Sequence, residues 1–118
     1  MAQTSAEPKG RLAIQTVAMP ADTNPSGDIF GGWLLSQMDI AGGIVASQRA
    51  RGRAATVAVE AMVFHRPVRV GDVLGCYAEI VAIGITSMTI LVEAWVVRRQ
   101  DPATRIKVTE GQFTYVAL

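Results

Sequence analysis

The chain has 118 residues, half of them hydrophobic, and a formal net charge of +1. One domain of this length can bury a core, but small, apolar domains often gain stability by forming homo-oligomers. Lysine and arginine form no basic run, which disfavours a nucleic-acid partner. The single cysteine, Cys76, excludes a disulfide framework and a thiolate metal cluster, and it fits a reducing cytoplasm.

The first half of the chain predicts a tail, a strand, a turn and a helix. Residues 1–10 are small and polar, so we predict a disordered tail, followed by one domain over residues 11–118. Residues 11–19 predict a strand, and residues 24–27 suit a type I turn. Apolar residues at spacings of three and four predict one helix from Phe30 to about Ala50. Its polar residues and glycines argue against a membrane span.

Two features inside the predicted helix need an explanation. The helix is apolar almost all round, which is typical of a buried helix. Gly42 and Gly43 lie in its interior, where each costs about 1 kcal/mol relative to alanine. We therefore expect another group to approach the backbone closely at this point. Gln37 and Asp39 are expected to face solvent or a partner helix, with a structural role for Asp39.

The second half of the chain predicts four more strands. They cover residues 54–66, where the strand stops at Pro67, and residues 73–84, 86–99 and 105–118, with a turn over residues 100–104 and a candidate bulge at Gly111. The order β-α-β-β-β-β predicts an α+β fold in which a curved antiparallel sheet of about five strands wraps one long central helix, the hotdog architecture. Its open edge strands predict dimerisation.

Several familiar kinds of active site do not fit the sequence. His65 is the only histidine, so a Ser-His-Asp or Cys-His arrangement would have to use it, and no G-x-S-x-G motif is present. The residues for a zinc site, a phosphate-binding P-loop or a dinucleotide fingerprint are missing as well. We predict no metal and no cofactor. His65 is either a partly exposed structural residue or a ligand contact, and Cys76 is expected in the core.

The stretch NPSGDIFGGW, residues 24–33, is the best candidate for chemistry. Asp28 is either an N-cap of the helix or a catalytic carboxylate. Gly31 and Gly32 stand in the first helical turn, where free N–H groups can hold a developing oxyanion. A carboxylate beside such an oxyanion hole is enough to hydrolyse an activated acyl group, with Asp28 as base or nucleophile.

Three blocks of the sequence carry a family resemblance. AMPADTNPSGDIFGGWLLSQMD, TVAVEAMVFHRPVRVGDV and GITSMTILVEAWV closely resemble the bacterial acyl-CoA thioesterases of the hotdog fold, in the YciA-like branch. The resemblance runs from about Leu12 to the C-terminus. It implies hydrolysis of acyl-CoA thioesters by dimers that often assemble into hexamers, with an active site shared across the dimer.

The resemblance also implies roles for single residues. Asp28 matches the essential carboxylate, Asn24 the polar residue that accompanies it, and Gly31 and Gly32 the helix start that polarises the thioester carbonyl. The residues that match the CoA-binding groove are Thr56, Val57, Thr86 and Ser87, with Arg66 as a candidate phosphate contact.

Two other functions stay open at this point. Hotdog domains also include hydratases that act on acyl-carrier substrates and usually depend on a histidine, which here would have to be His65. A non-catalytic domain that binds acyl-CoA without releasing free thiol is the second alternative.

Overall fold

The computed structural model describes residues 7–118, which form one long helix, a short 3-10 turn over Pro20–Asp22 and a five-stranded sheet. The helix and strands are α1 (Gly31–Ala50), β1 (Arg11–Val17), β2 (Ala54–Phe64), β3 (Val73–Ile83), β4 (Ser87–Arg98) and β5 (Asp101–Ala117). Within residues 7–118, no helix is both long and apolar enough to cross a membrane.

The five strands form one antiparallel sheet in the order β1-β3-β4-β5-β2, and α1 packs against one of its faces. The side chains of α1 that face the sheet recur at spacings of three and four, which places them on one side of the helix. They are Leu34, Met38, Ala41 and Val45, and they meet a core of strand residues that includes Leu74, Ile90, Val92 and Phe113. The predicted architecture, one helix against a curved five-stranded antiparallel sheet, is confirmed.

The predicted boundaries are close for α1 and differ most for β5. Pairing between β4 and β5 continues to Arg98 and Asp101, so the hairpin turn is shorter than predicted. β5 therefore begins at Asp101, four residues earlier than the sequence indicates. The strand accommodates Pro102 because β2 reaches only as far as Thr109, which leaves β5 with a single neighbour there.

The predicted bulge at Gly111 is wrong. Gly111 pairs regularly with Val92, and the irregularity lies on β2 between Glu60 and Val63, where Ala61 has a φ of 56°. A Cβ at Gly111 would press on the side chain of Met62, with Cγ at 3.3 Å. The glycine makes room for the bulged strand beside it.

Residues 7–10 belong to the predicted tail and are the first described residues, whereas residues 1–6 fall outside the described part of the chain. The backbone N–H of Lys9 donates to Oε1 of the buried Glu93 at 3.1 Å. Glu93 also accepts a hydrogen bond from Trp95 Nε1 at 2.9 Å and pairs with Lys107 at 3.3 Å. The start of the described chain is thus attached to the sheet through one buried carboxylate.

The two edges of the sheet differ. β1 has 7 residues and β2 has 11. β2 leaves four large apolar side chains exposed along its length, which are Val57, Val59, Val63 and Phe64. A long, apolar edge strand is a surface that proteins normally cover, either with their own chain or with a partner.

Candidate active site

The loop before α1 is organised by Asn24. The N–H of Gly27 donates to the Asn24 carbonyl at 2.9 Å, which confirms a turn over residues 24–27. The side-chain oxygen of Asn24 accepts the N–H groups of Ser26 at 2.9 Å and Asp28 at 3.1 Å. The Asn24 N–H in turn donates to the Asp28 carbonyl at 2.7 Å. Asn24 therefore fixes the loop that carries Asp28, and its side-chain oxygen is occupied by that task.

Asp28 itself is exposed to solvent. It is not the N-cap of α1, because the helix begins at Gly31 and the capping position is Phe30, which makes no side-chain hydrogen bond. The structural alternative for Asp28 is therefore wrong, and its catalytic role stays a prediction.

Gly31 and Gly32 are open to their surroundings. A Cβ added to either residue would meet nothing within 4 Å, and neither has a positive φ. Neither backbone conformation nor packing within this chain requires a glycine at these positions. The N–H groups in the first turn of a helix have no partner within the helix. The helix start is thus accessible to a ligand or to a second copy of the chain, as an oxyanion hole requires.

A second group of polar residues surrounds Asp39, in the middle of α1. The hydroxyl of Thr56 on β2 donates to Asp39 Oδ1 at 2.7 Å, and the hydroxyl of Tyr115 on β5 lies 3.0 Å from the same oxygen. Both hydroxyls bind Oδ1, so neither occupies Oδ2. Asp39 is partly buried and lines a cleft of about 540 Å³ between α1 and β2. The other lining residues are Ile40, Gly43, Ile44, Ser47, Gln48, Ala54, Thr56 and Tyr115.

The glycine pair inside α1 is explained by the same cluster. A Cβ on Gly42 would lie 2.9 Å from Cε1 and Cζ of Tyr115, closer than packed atoms allow. The Tyr115 hydroxyl passes over this glycine, and its single proton is shared between the Asp39 carbonyl at 2.8 Å and Oδ1 at 3.0 Å. The expected close approach to the helix backbone is therefore confirmed at Gly42, whereas Gly43 lines the cleft.

The Tyr115 hydroxyl stays a hydrogen-bond donor to Asp39. Burial above all, and then the charge of Asp39, raise the pKa of Tyr115 above its ordinary value. Tyr115 therefore keeps its proton and remains a donor over the whole working range of pH. A carboxylate oriented by two donors, with one oxygen left for a water or a substrate, can act as a general base or as a nucleophile.

Asp39 and the helix start do not meet within one chain. Eight residues separate Gly31 from Asp39, which corresponds to about 12 Å along a helix. A general base must reach its proton directly or through one water molecule, over hydrogen bonds of about 3 Å each. Asp39 and the Gly31 N–H of the same chain are therefore too far apart to act on one carbonyl carbon and its oxygen.

The structure distributes the predicted CoA-binding residues over several places. Thr56 belongs to the Asp39 cleft, and Val57 is exposed on β2. Thr86 and Ser87 line a cleft of about 170 Å³ at the β3–β4 turn. Arg66 lies with the exposed His65 and with Trp95 in a third cleft of about 770 Å³. Asp28 lines none of these three clefts.

Sequence reasoning missed two members of the cluster, Asp39 and Tyr115. The sequence predicts a structural role for Asp39, although a carboxylate three residues before Gly42, in a helix that is apolar almost all round, is a signal for a special role. Tyr115 gives no comparable signal, because it lies 76 residues from Asp39 in the chain and only the fold brings the two together.

Known proteins resemble this chain over its whole length. The family model described as "Thioesterase superfamily" matches residues 26–103. The acyl-CoA thioester hydrolase YciA of Escherichia coli (strain K12) is 54% identical over 120 residues, which cover 100% of this chain and 91% of that protein. The hexameric thioesterase y2039 from Yersinia pestis is 53% identical with a TM-score of 0.91, over 95% of this chain and 90% of that one. HI0827, a hexameric broad-specificity acyl-coenzyme A thioesterase, is 48% identical with a TM-score of 0.89, over 96% and 78% of the two chains.

Proposed function

The chain belongs to the thioesterase superfamily, among the YciA-like acyl-CoA thioester hydrolases, and from this premise we propose that it hydrolyses acyl-CoA to a carboxylic acid and CoA with Asp39 as the reacting carboxylate. The observation that supports this role is the position of Asp39, which is fixed by Thr56 and Tyr115 at the cleft between α1 and β2.

Asp39 competes for this role with Asp28, the carboxylate that the sequence favours. Asp28 is exposed on a loop and lines none of the three clefts, whereas Asp39 is partly buried and oriented by two hydroxyl donors. A catalytic group must be held in a productive geometry, which supports Asp39. Asp28 as the base remains the alternative, and Asn24 acts in either case by holding the loop.

The oxyanion hole is then supplied by Gly31 and Gly32 of a second copy. The separation of about 12 Å along α1 prevents one chain from supplying both halves of the site to one carbonyl. The exposed apolar edge at β2 offers a surface on which two copies can pair around a two-fold axis. Two equivalent sites result, each with Asp39 of one copy and the helix start of the other. Hexameric relatives support assembly of such dimers into a hexamer.

The reaction needs no metal and no cofactor in this scheme. Asp39 takes a proton from water as the water oxygen bonds to the thioester carbon, and the helix N–H groups bind the oxyanion. The C–S bond then breaks, and the CoA thiolate leaves and takes up a proton. Direct attack by Asp39, which gives a mixed anhydride, is the alternative. A single turnover in ¹⁸O-labelled water distinguishes them, because only the anhydride route leaves the label in Asp39.

The remaining substrate contacts stay predictions. We propose that CoA is bound by Thr86, Ser87, Val57 and Arg66. Thr56 mainly holds Asp39 in place, because its hydroxyl donates to that carboxylate. The broad specificity of HI0827 supports a broad acyl preference for this chain. We place the reaction in the cytoplasm, where a buried, reduced Cys76 is expected.

Mixing of two inactive variants tests the shared site. Asp39→Asn removes the carboxylate, and Gly32→Val blocks the helix start. A mixed dimer restores one complete site out of two, so equal mixing of dissociated chains yields about a quarter of the wild-type rate of CoA release. Each variant refolded alone is the control and stays inactive. No recovery in the mixture would show that the site lies within one chain.

The hydratase and binding-only alternatives are tested by the same assay. Release of free thiol from a series of acyl-CoAs is expected, with His65→Ala retaining the wild-type rate because His65 lies in a different cleft from Asp39. Hydration of an unsaturated acyl thioester without thiol release, lost in His65→Ala, would favour the hydratase, and binding without either reaction would favour a non-catalytic domain.

A further inference from the structure

Tyr115 is the least accessible member of the Asp39 cluster. It is 1% exposed, and its ring stacks on Phe113 with 6.4 Å between ring centroids and an interplanar angle of 15°. A side chain enclosed in this way has one position available, so its hydroxyl is a fixed point in the core. The hydroxyl lies against α1, where the absence of a side chain at Gly42 provides the space for it.

The helix places Asp39 and Gly42 on the same face, since residues three apart are neighbours on a helix surface. The Tyr115 hydroxyl lies 2.8 Å from the Asp39 carbonyl and 3.0 Å from Oδ1. Because it contacts both the backbone and the side chain of one residue, it ties the rotamer of Asp39 to the helix axis. Thr56 restrains the same Oδ1 from the opposite strand at 2.7 Å.

We propose that Tyr115 is a positioning residue of the thioesterase reaction, which holds Asp39 in its productive orientation, and that Gly42 exists to admit its hydroxyl. The inference rests on the proposed role of Asp39. The hydroxyls of Tyr115 and Thr56 both lie against Oδ1, so the carboxylate has one fixed orientation and Oδ2 stays free for water or substrate.

The test is Tyr115→Phe in the assembled enzyme, measured as kcat and KM. We expect kcat to fall about tenfold, because one hydrogen bond to a charged group is lost, and KM to stay within about twofold. Phe113→Leu is the matched control, since it loosens the same ring stack without removing a hydroxyl, and it leaves kcat near the wild-type value.

Two results would overturn the proposal without affecting the proposed function. One is an unchanged kcat in Tyr115→Phe while Asp39→Asn is inactive, and the other is an equal loss of kcat in Tyr115→Phe and Phe113→Leu, which would assign the loss to the ring stack. If Tyr115→Phe does not assemble, Gly42→Ala strains the same contact between the hydroxyl and Asp39 and must lower kcat while KM is retained. An active Asp39→Asn enzyme would instead refute the proposed function itself.

Discussion

Substitution by alanine is predicted to change the free energy of unfolding in opposite directions at the two adjacent glycines of α1. At Gly43 a new Cβ would lie 3.8 Å from Cε2 of Tyr115, which is an ordinary contact. At Gly42 the Cβ would lie 2.9 Å from two ring atoms of a residue that is 1% exposed and cannot move aside. Helix propensity favours alanine over glycine equally at both positions, by about 1 kcal/mol. The difference in the free energy of unfolding between the two variants therefore measures the effect of packing alone.

The expected magnitudes follow from these contacts. Gly43→Ala raises the free energy of unfolding by about 0.5–1 kcal/mol. Gly42→Ala adds an overpacking penalty of about 1–3 kcal/mol and weakens a hydrogen bond to a charged group worth about 1.5–3 kcal/mol, for a net loss of about 2–4 kcal/mol. The two variants should then differ in melting temperature by at least about 6 °C.

The assay is urea and thermal unfolding of both variants at one protomer concentration, since the stability of an oligomer depends on concentration. A Gly42→Ala protein as stable as Gly43→Ala would refute the packing argument. In a Tyr115→Phe background the Gly42→Ala penalty should shrink, because the hydroxyl that passes over Gly42 is gone. An unchanged penalty would show that the hydroxyl is not what requires the glycine.

Two further predictions concern the β2 edge and the core thiol. Val59→Lys places a charge on the apolar edge strand and should convert the assembly to inactive monomers, as measured by light scattering. Val17→Lys on β1 is the control and should remain assembled. The two valines are similarly exposed, at 41% for Val59 and 43% for Val17. The reverse pattern would place the pairing edge at β1. Burial raises the pKa of the Cys76 thiol to about 12, so iodoacetamide at pH 8 should label it only after unfolding. Rapid labelling of the native protein, followed by mass spectrometry, would contradict this burial.

The elements with strong local signals were predictable from sequence. The regular apolar spacing and the turn-rich loop before it predict a helix from Phe30 to about Ala50, within one residue of the observed Gly31–Ala50. The sheet followed from the alternation of strands and turns. The start of β5 was missed because Pro102 is typical of a turn, and its place in a strand depends on which neighbours that strand has.

The site was only partly predictable, for a physical reason. Gly42 and Gly43 showed that something approaches the helix, but the identity of that group depends on the pairing of β5 with the rest of the sheet. Local sequence favours Asp28 as the reacting carboxylate, because it lies just before the predicted start of the helix. Asp39 gains its partners, Thr56 and Tyr115, only from tertiary contacts.

The choice between the two carboxylates is the most direct test of the central claim. Free CoA release should be measured for Asp39→Asn and Asp28→Asn, both isosteric changes, in proteins of confirmed oligomeric state. Asp39→Asn is predicted to lower kcat by about 100-fold to 10,000-fold, the usual contribution of a general base, and Asp28→Asn to keep kcat within about tenfold of wild type. Near-wild-type activity in Asp39→Asn, with loss of activity in Asp28→Asn, would contradict the account and return the reacting carboxylate to the loop before α1.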